Sequence, residues 1–71
     1  MTDSTRIVLQ KNIPLSRRLQ EVKKRISLWS HSLERPYDGK ADAIRLVRVE
    51  RTKDDYAYSY VIERGVNRGG R

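Results

Sequence analysis

Basic side chains are the residues of this chain whose type and spacing point to chemistry. Arg17, Lys24 and His31 follow one another every seven residues, which is two turns of a helix, so a helix would place them along one line. Arg18 and Arg25 repeat the same spacing on the neighbouring line. Rows of guanidinium and ammonium groups are suited to the phosphates of a nucleic-acid backbone. The pattern therefore predicts a phosphate-binding surface.

The signs of the charges favour this interpretation over an ordinary solvated helix face. Solvated faces usually mix both signs, whereas residues 11–25 contain six cations and one anion. Further basic residues follow in the C-terminal half of the chain. The predicted nucleic-acid-binding residues are Arg17, Arg18, Lys24, Arg25, Arg48, Arg51, Lys53, Tyr56, Arg68 and Arg71.

Three alternating tyrosines have two interpretations. A strand would project Tyr56, Tyr58 and Tyr60 from one face, and exposed aromatic rings beside arginines stack the bases of single-stranded nucleic acid. The same face also carries Val47, Val49 and Ile62, so packing beneath a helix is the favoured alternative. Of the three rings, the one at the loop end, Tyr56, is expected to be the most exposed.

The C terminus resembles one fragment of the RGG segments that bind RNA in a disordered state. It reads Arg68-Gly-Gly-Arg71. The resemblance implies RNA contacts by these two arginines, and a flexible basic tail is the alternative.

Catalytic, metal-binding and cofactor-binding patterns are not found. The single histidine, His31, has no cysteine to work with, because the chain contains none. The acidic pair Asp54-Asp55 falls in a predicted turn, where carboxylates stay solvated. No glycine-rich phosphate-binding motif occurs. We therefore expect no enzyme, no metal site and no cofactor.

Size and charge define the class of partner. Seventy-one residues make one small domain, and a net charge of +7 attracts polyanions, of which nucleic acid is the commonest. An acidic protein is the alternative partner, and a homodimer is an option. No apolar segment approaches the length of a membrane span and no signal peptide is recognisable, so we expect a soluble, cytoplasmic protein that is not secreted.

An amphipathic helix must position the basic rows. Apolar residues recur at alternating gaps of four and three residues, which places them on one stripe of a helix. Pro14 suits the first turn of that helix, which we expect to end between His31 and Leu33. The stripe consists of Leu15, Leu19, Val22, Ile26, Trp29 and Leu33.

Strands are predicted at residues 6–10, 44–51 and 56–64, where β-branched and aromatic residues alternate with polar ones. The last two form a hairpin around residues 52–55. Its predicted pairs are Arg51 with Tyr56, Val49 with Tyr58, Val47 with Tyr60 and Arg45 with Ile62.

The fold class that follows is α+β, a small β-α-β-β layer with one amphipathic helix packed on a three-stranded antiparallel sheet. We expect a disordered N terminus at residues 1–4, a single domain at residues 5–64 and a flexible basic Gly/Arg tail at residues 65–71.

A rival interpretation makes residues 40–51 a second helix. The first half of the chain then resembles a ribbon-helix-helix dimer. That resemblance implies that Arg6, Val8 and Gln10 read the major groove of DNA from a ribbon.

The sequence thus predicts a small basic nucleic-acid-binding protein, regulatory or accessory, with DNA slightly favoured over RNA. The alternative is an adaptor or inhibitor that docks on an acidic protein. It would use the outer sheet edge or Leu28, which lies between Lys24 and His31 on the outer line of the helix.

Overall fold

One helix packs on a three-stranded antiparallel sheet in a computed structural model, which describes residues 3–66. The elements are β1 (Asp3–Gln10), α1 (Leu15–Ser32), β2 (Ala43–Arg51) and β3 (Asp55–Glu63). The strand order is β1-β3-β2, so the last strand is central. This arrangement confirms the predicted β-α-β-β fold.

The ribbon-helix-helix alternative is wrong, because residues 40–51 contain strand β2 and not a second helix. This segment forms a strand because it contains the β-branched residues Ile44, Val47 and Val49. Branching at Cβ restricts χ1 in a helix and favours the pleated backbone of a sheet.

Strand β1 begins at Asp3, three residues before the predicted start. Asp3 pairs with Ile62 in the ladder, and its carboxylate lies 2.8 Å from Arg64 Nη2. Asp3 and Ser4 are therefore part of the sheet and not of a disordered terminus. The disorder predicted for residues 1–2 and 67–71 lies outside the described residues.

Helix α1 begins after Pro14, as predicted, and the backbone N–H of Arg18 donates to the Pro14 carbonyl oxygen at 2.9 Å. Only part of its apolar stripe is buried. Val22 is 4% exposed and Ile26 packs against the core, whereas Leu15 and Leu19 are 60% and 53% exposed. The first turns of the helix therefore leave apolar side chains in contact with solvent. Within residues 3–66 no helix has the length and apolar character needed to cross a membrane.

The core lies between α1 and the β1–β3 side of the sheet. Ile7 and Leu9 of β1 meet Val22 of α1, with Tyr58 and Tyr60 of β3 packed around them. Farther along β3, Ile62 is fully buried. Because the helix backbone lies nearest β1, the β2 side of this sheet face remains open.

A β-bulge at Val47 changes the predicted hairpin register. Near the turn, Arg51 pairs with Tyr56 and Val49 with Tyr58, and these two predictions are confirmed. Beyond Arg48, the register shifts, so that Val47 is left without a partner.

The predicted pairing of Val47 with Tyr60 and of Arg45 with Ile62 is therefore wrong. Leu46 pairs with Tyr60 and Ile44 pairs with Ile62. An extra residue in one strand reverses which side chains point to each face beyond it. As a result, Ile44 and Leu46 share the face of the tyrosines, and Arg45 is on the opposite face of the sheet.

That opposite, solvent-facing side of the sheet carries ion pairs. Glu50 of β2 lies 3.5 Å from Arg6 of β1 and 3.4 Å from Arg48. In the ladder Glu50 pairs with the small central residue Ala57, which is 1% exposed. Arg45 is paired in the same way with Glu63, at 3.1 Å.

A cluster of charges closes the other end of the sheet. Arg64 Nη1 donates to the buried Asp42 carboxylate at 2.9 Å, and Arg64 Nη2 donates to Asp3 at 2.8 Å. Asp42 also accepts from the backbone N–H groups of Gly65 and Asp38, each at 3.0 Å. We call Asp3, Asp42, Arg64 and Gly65 the Arg64 clasp.

The hydrogen bonds of the clasp favour the charged forms of its members. The backbone N–H of Gly65 lowers the pKa of Asp42, while burial opposes this effect and the N–H of Asp38 and Arg64 add to it. The hydrogen bond to Asp3 raises the pKa of Arg64, against the effect of burial. Gly65 has a φ of 74°, a left-handed conformation that glycine adopts without strain.

Candidate nucleic-acid interface

The predicted phosphate-binding residues divide into those that a carboxylate neutralises and those that have no such partner. Arg48 is paired with Glu50 on the solvent-facing side of the sheet, away from the helix. No ion pair within residues 3–66 involves Arg17, Lys24, Arg51 or Lys53. The sequence-predicted set is therefore not one surface, because the sheet places Arg48 on a different face.

Arg25 is an intermediate case on the helix itself. Its Nε lies 3.3 Å from Glu21 Oε1, one turn earlier, and both side chains are largely exposed. Solvent-exposed pairs of this kind contribute only about 0–1 kcal/mol, so a phosphate can compete for the guanidinium. Arg25 thus remains usable for binding.

The side chain of Arg18, in the first turn of α1, extends beneath the helix and makes structural contacts. Its Nε donates to the Ile13 carbonyl oxygen at 3.0 Å and its Nη1 donates to the Tyr58 hydroxyl at 3.2 Å. The guanidinium carbon also lies 4.4 Å from the centroid of the Tyr56 ring, a cation–π distance. These contacts hold Arg18 at the start of α1, where it adds positive charge with limited freedom to move.

The tyrosines lie on the helix-facing side, which is the core alternative of the sequence analysis. Tyr58 and Tyr60 pack against the core, and burial raises the pKa of Tyr60. The ring of Tyr56 has Arg18 over it and Lys11 Nζ at 5.5 Å. The geometry therefore favours packing over base stacking for these rings.

Lys11 is a member of this site that the sequence analysis did not single out. Its position at the start of the cation-rich stretch 11–25 was the available signal, but the contact with Tyr56 depends on strand pairing. Its backbone N–H also donates to the Asp54 carbonyl oxygen at 2.8 Å, which joins the β1–α1 loop to the hairpin turn.

The loop and the turn together form one positively charged end of the molecule. Arg51 stands opposite Tyr56 in the ladder, and Lys53 occupies the turn. We call this region the basic end; it consists of Lys11, Arg17, Arg18, Arg51 and Lys53. The turn also contains Asp54 and Asp55, so cations exceed carboxylates there without excluding them.

A groove extends from the basic end along the helix. Its floor is apolar, formed by Leu9 and Ile13. Its rim carries Arg17, Lys24 and Arg25, together with Gln20 and with Glu21, the carboxylate that pairs with Arg25. The groove lies between edge strand β1 and α1, so it is open along its length. It brings together three of the predicted phosphate-binding residues.

Arg68 and Arg71 lie outside the described residues, so their role stays a prediction from the sequence.

No family model, curated protein or solved structure matches the chain.

Proposed function

We propose that this protein binds nucleic acid through backbone phosphates, with duplex DNA slightly favoured over RNA, in a regulatory or accessory role. The observation that carries the proposal is the distribution of cations without carboxylate partners. Within residues 3–66, most of them lie on the N-terminal half of α1 and on the adjoining basic end. The cytoplasmic location expected from the sequence goes with this function.

The spacing of the cations supports contact with several phosphates. Arg17 and Lys24 are about 10 Å apart along the helix axis, which equals about three nucleotide steps of a B-DNA strand. Arg17 can donate two hydrogen bonds to one phosphate, while Lys24 acts as a compact charge. The rim of the groove thus suits a continuous phosphate backbone better than an isolated anion.

The packing of the tyrosine rings favours a duplex ligand over a single strand. Single-strand binders stack bases on exposed rings, whereas the Tyr56 ring is covered by Arg18 and the Tyr58 hydroxyl accepts a hydrogen bond from Arg18 beneath the helix. Phosphate contacts position a protein on a duplex without selecting a sequence. We therefore expect weak sequence preference.

Fluorescence anisotropy with a labelled 24-base-pair duplex tests the proposal. At about 50 mM salt the protein should bind, and log affinity should fall linearly with log salt, with a slope near −0.9 per phosphate neutralised. The double variant Arg17→Glu/Lys24→Glu should weaken binding at least about tenfold across unrelated sequences. A single-stranded RNA of equal length measures the preference between the two nucleic acids.

The matched control is Arg35→Glu/Lys40→Glu. Among residues 3–66 these two cations also lack ion pairs, and the double variant changes the net charge by the same amount, but they lie beyond the opposite end of α1. Equal losses in both double variants would show a response to net charge and reject the proposed surface. Absence of binding to any DNA or RNA at about 50 mM salt would reject the function itself.

A second candidate function is the binding of an acidic protein. The surface that favours it is the exposed apolar region between α1 and β2.

A further inference from the structure

The helix leaves the β2 side of the sheet uncovered. Leu46 and Val49 pair with Tyr60 and Tyr58, so they project from the face on which α1 lies. Nevertheless, they are 45% and 50% exposed. Two apolar side chains on the inner face of a two-layer fold are thus left without a covering element.

The flank of the helix that borders this region is also apolar. Leu15 and Leu19 belong to the same stripe as the buried Val22 and yet are 60% and 53% exposed. One turn after Leu19, Lys23 lines a cavity together with Ile44 of β2. The Leu19 flank of α1 therefore faces β2 across an open space.

This shallow cavity lies at one end of the space. Ile26 and Ser30 of α1, Tyr37 of the loop and Ile44 form most of its wall, and the lining atoms are nearly all carbon. From there the space continues past Leu46 to Val49. We call it the open groove; its apolar residues are Leu15, Leu19, Ile44, Leu46 and Val49.

We propose that the open groove binds an acidic amphipathic helix of a partner protein. Residues 44–49 of β2 extend about 17–20 Å, which matches between three and four turns of a helix. Neighbouring helices pack 8–10 Å apart, and strands lie about 4.8 Å apart, so a three-stranded sheet with one helix over its β1 side has room for one more.

The charges beside the open groove select an acidic occupant. Lys23 stands on the helix side and Arg51 on the sheet side, and neither has an ion pair within residues 3–66. Glu50 of β2 and Glu63 of β3 are paired on the opposite face. A second copy of this chain would bring like charges together, whereas glutamates flanking an apolar stripe would meet Lys23 and Arg51.

A designed probe tests the proposal with the full chain. The probe is an 18-residue labelled peptide with leucines at helical i, i+3, i+4 and i+7 spacing and glutamates elsewhere. A scrambled peptide of the same composition keeps the charge and loses the stripe. We expect the striped peptide to bind at least about tenfold more tightly than the scrambled one.

Two protein variants locate the site. Leu19→Asp and Leu46→Asp should each weaken binding of the striped peptide about tenfold or more, because each removes an apolar contact. Leu28→Asp is the matched control: it makes the same charge change on the outer line of the helix, at a leucine that is 65% exposed. Its affinity should stay within about twofold of the unaltered protein. In amide spectra of the labelled protein, the peptide should shift residues 19, 23, 44, 46 and 49.

Other outcomes would overturn the proposal. Equal binding of the two peptides would show attraction to charge alone, and an equal loss in Leu28→Asp would place the contact on the outer face. A concentration-dependent dimer abolished by Leu46→Asp would make a second copy the occupant. The 24-base-pair duplex should bind Leu19→Asp and Leu28→Asp with equal affinity, because both add one negative charge to α1, so this proposal and the nucleic-acid proposal can fail separately.

Discussion

Asp42 is the residue at which three distant parts of the chain are held together. Its carboxylate accepts from the loop at Asp38, from Arg64 at the end of β3 and from Gly65 beyond it. Through Arg64, the same cluster reaches Asp3 at the start of β1. A carboxylate that is 2% exposed and has this many donors stabilises the fold only while it is ionised.

Asp42→Asn tests the clasp. The amide keeps the shape but removes the charge that compensates Arg64 and turns one acceptor into a donor facing N–H groups. We expect the melting temperature to fall by about 10 °C or more. Glu34→Gln removes one carboxylate from an exposed position that has no ion pair in the described part of the chain, and it should leave the melting temperature nearly unchanged. Circular dichroism during heating measures both.

The dependence of the free energy of unfolding on pH should also show the effect of the Asp42 charge. The pKa of Asp42 is lower in the folded protein than its ordinary value of 3.8, so the unfolded state binds the proton more readily. Its contribution to the free energy of unfolding is therefore complete above pH 3.8 and is lost as the pH falls through the lower folded-state pKa. Asp42→Asn should have a flatter stability curve below pH 4. An identical slope in the two proteins would contradict this assignment.

At this scale, the sequence does not predict which individual cations form ion pairs. Arg17 and Arg48 are both basic residues in patterned segments, and each has a glutamate nearby in the sequence. Arg48 pairs with Glu50, two residues along the same face of β2, whereas Glu21, one turn after Arg17, pairs with Arg25 instead, and periodicity does not predict which of these contacts forms. The contact between Lys11 and Tyr56 likewise depends on strand pairing.

At the scale of elements, periodicity predicted the type and order of all four segments within residues 3–66. It did not predict the bulge, because Val47 continues a β-branched alternating pattern that fits an unbroken ladder equally well. It also predicted that the apolar stripe of the helix packs on the sheet. Leu15 and Leu19 remain exposed because one helix does not cover the whole face of a three-stranded sheet.

Deletion of single residues tests the bulge. Removal of Val47 should leave a cooperatively folded protein, with the free energy of unfolding changed by about 1 kcal/mol or less, because this residue has no partner in β3. Removal of Ser59 from the central strand should abolish cooperative unfolding, since a slip of one residue turns side chains to the wrong face against both neighbours. Amide spectra and thermal unfolding distinguish the outcomes. Equal damage from the two deletions would mean that Val47 is paired.

At the scale of the whole molecule, the fold depends on few fully buried apolar residues. Within residues 3–66 these are Ile7, Leu9, Val22, Ala57 and Ile62. Domains of this size have a free energy of unfolding of roughly 3–10 kcal/mol. One well-placed cavity can therefore remove a large share of the total stability, whereas exposed leucines should contribute little.

Among the buried apolar residues, Ile62 should contribute most to the stability of the fold. It lies in central strand β3, is fully buried and pairs with both Asp3 and Ile44. Ile62→Ala should lower the free energy of unfolding by about 3 kcal/mol and Ile62→Val by about 1 kcal/mol, a series that stays measurable if the alanine variant is largely unfolded. Leu28→Ala, at a side chain 65% exposed, should change it by less than about 0.5 kcal/mol. Urea denaturation followed by the fluorescence of Trp29 measures all three. If Ile62→Ala proved as mild as Leu28→Ala, the core would not lie where α1 meets this sheet.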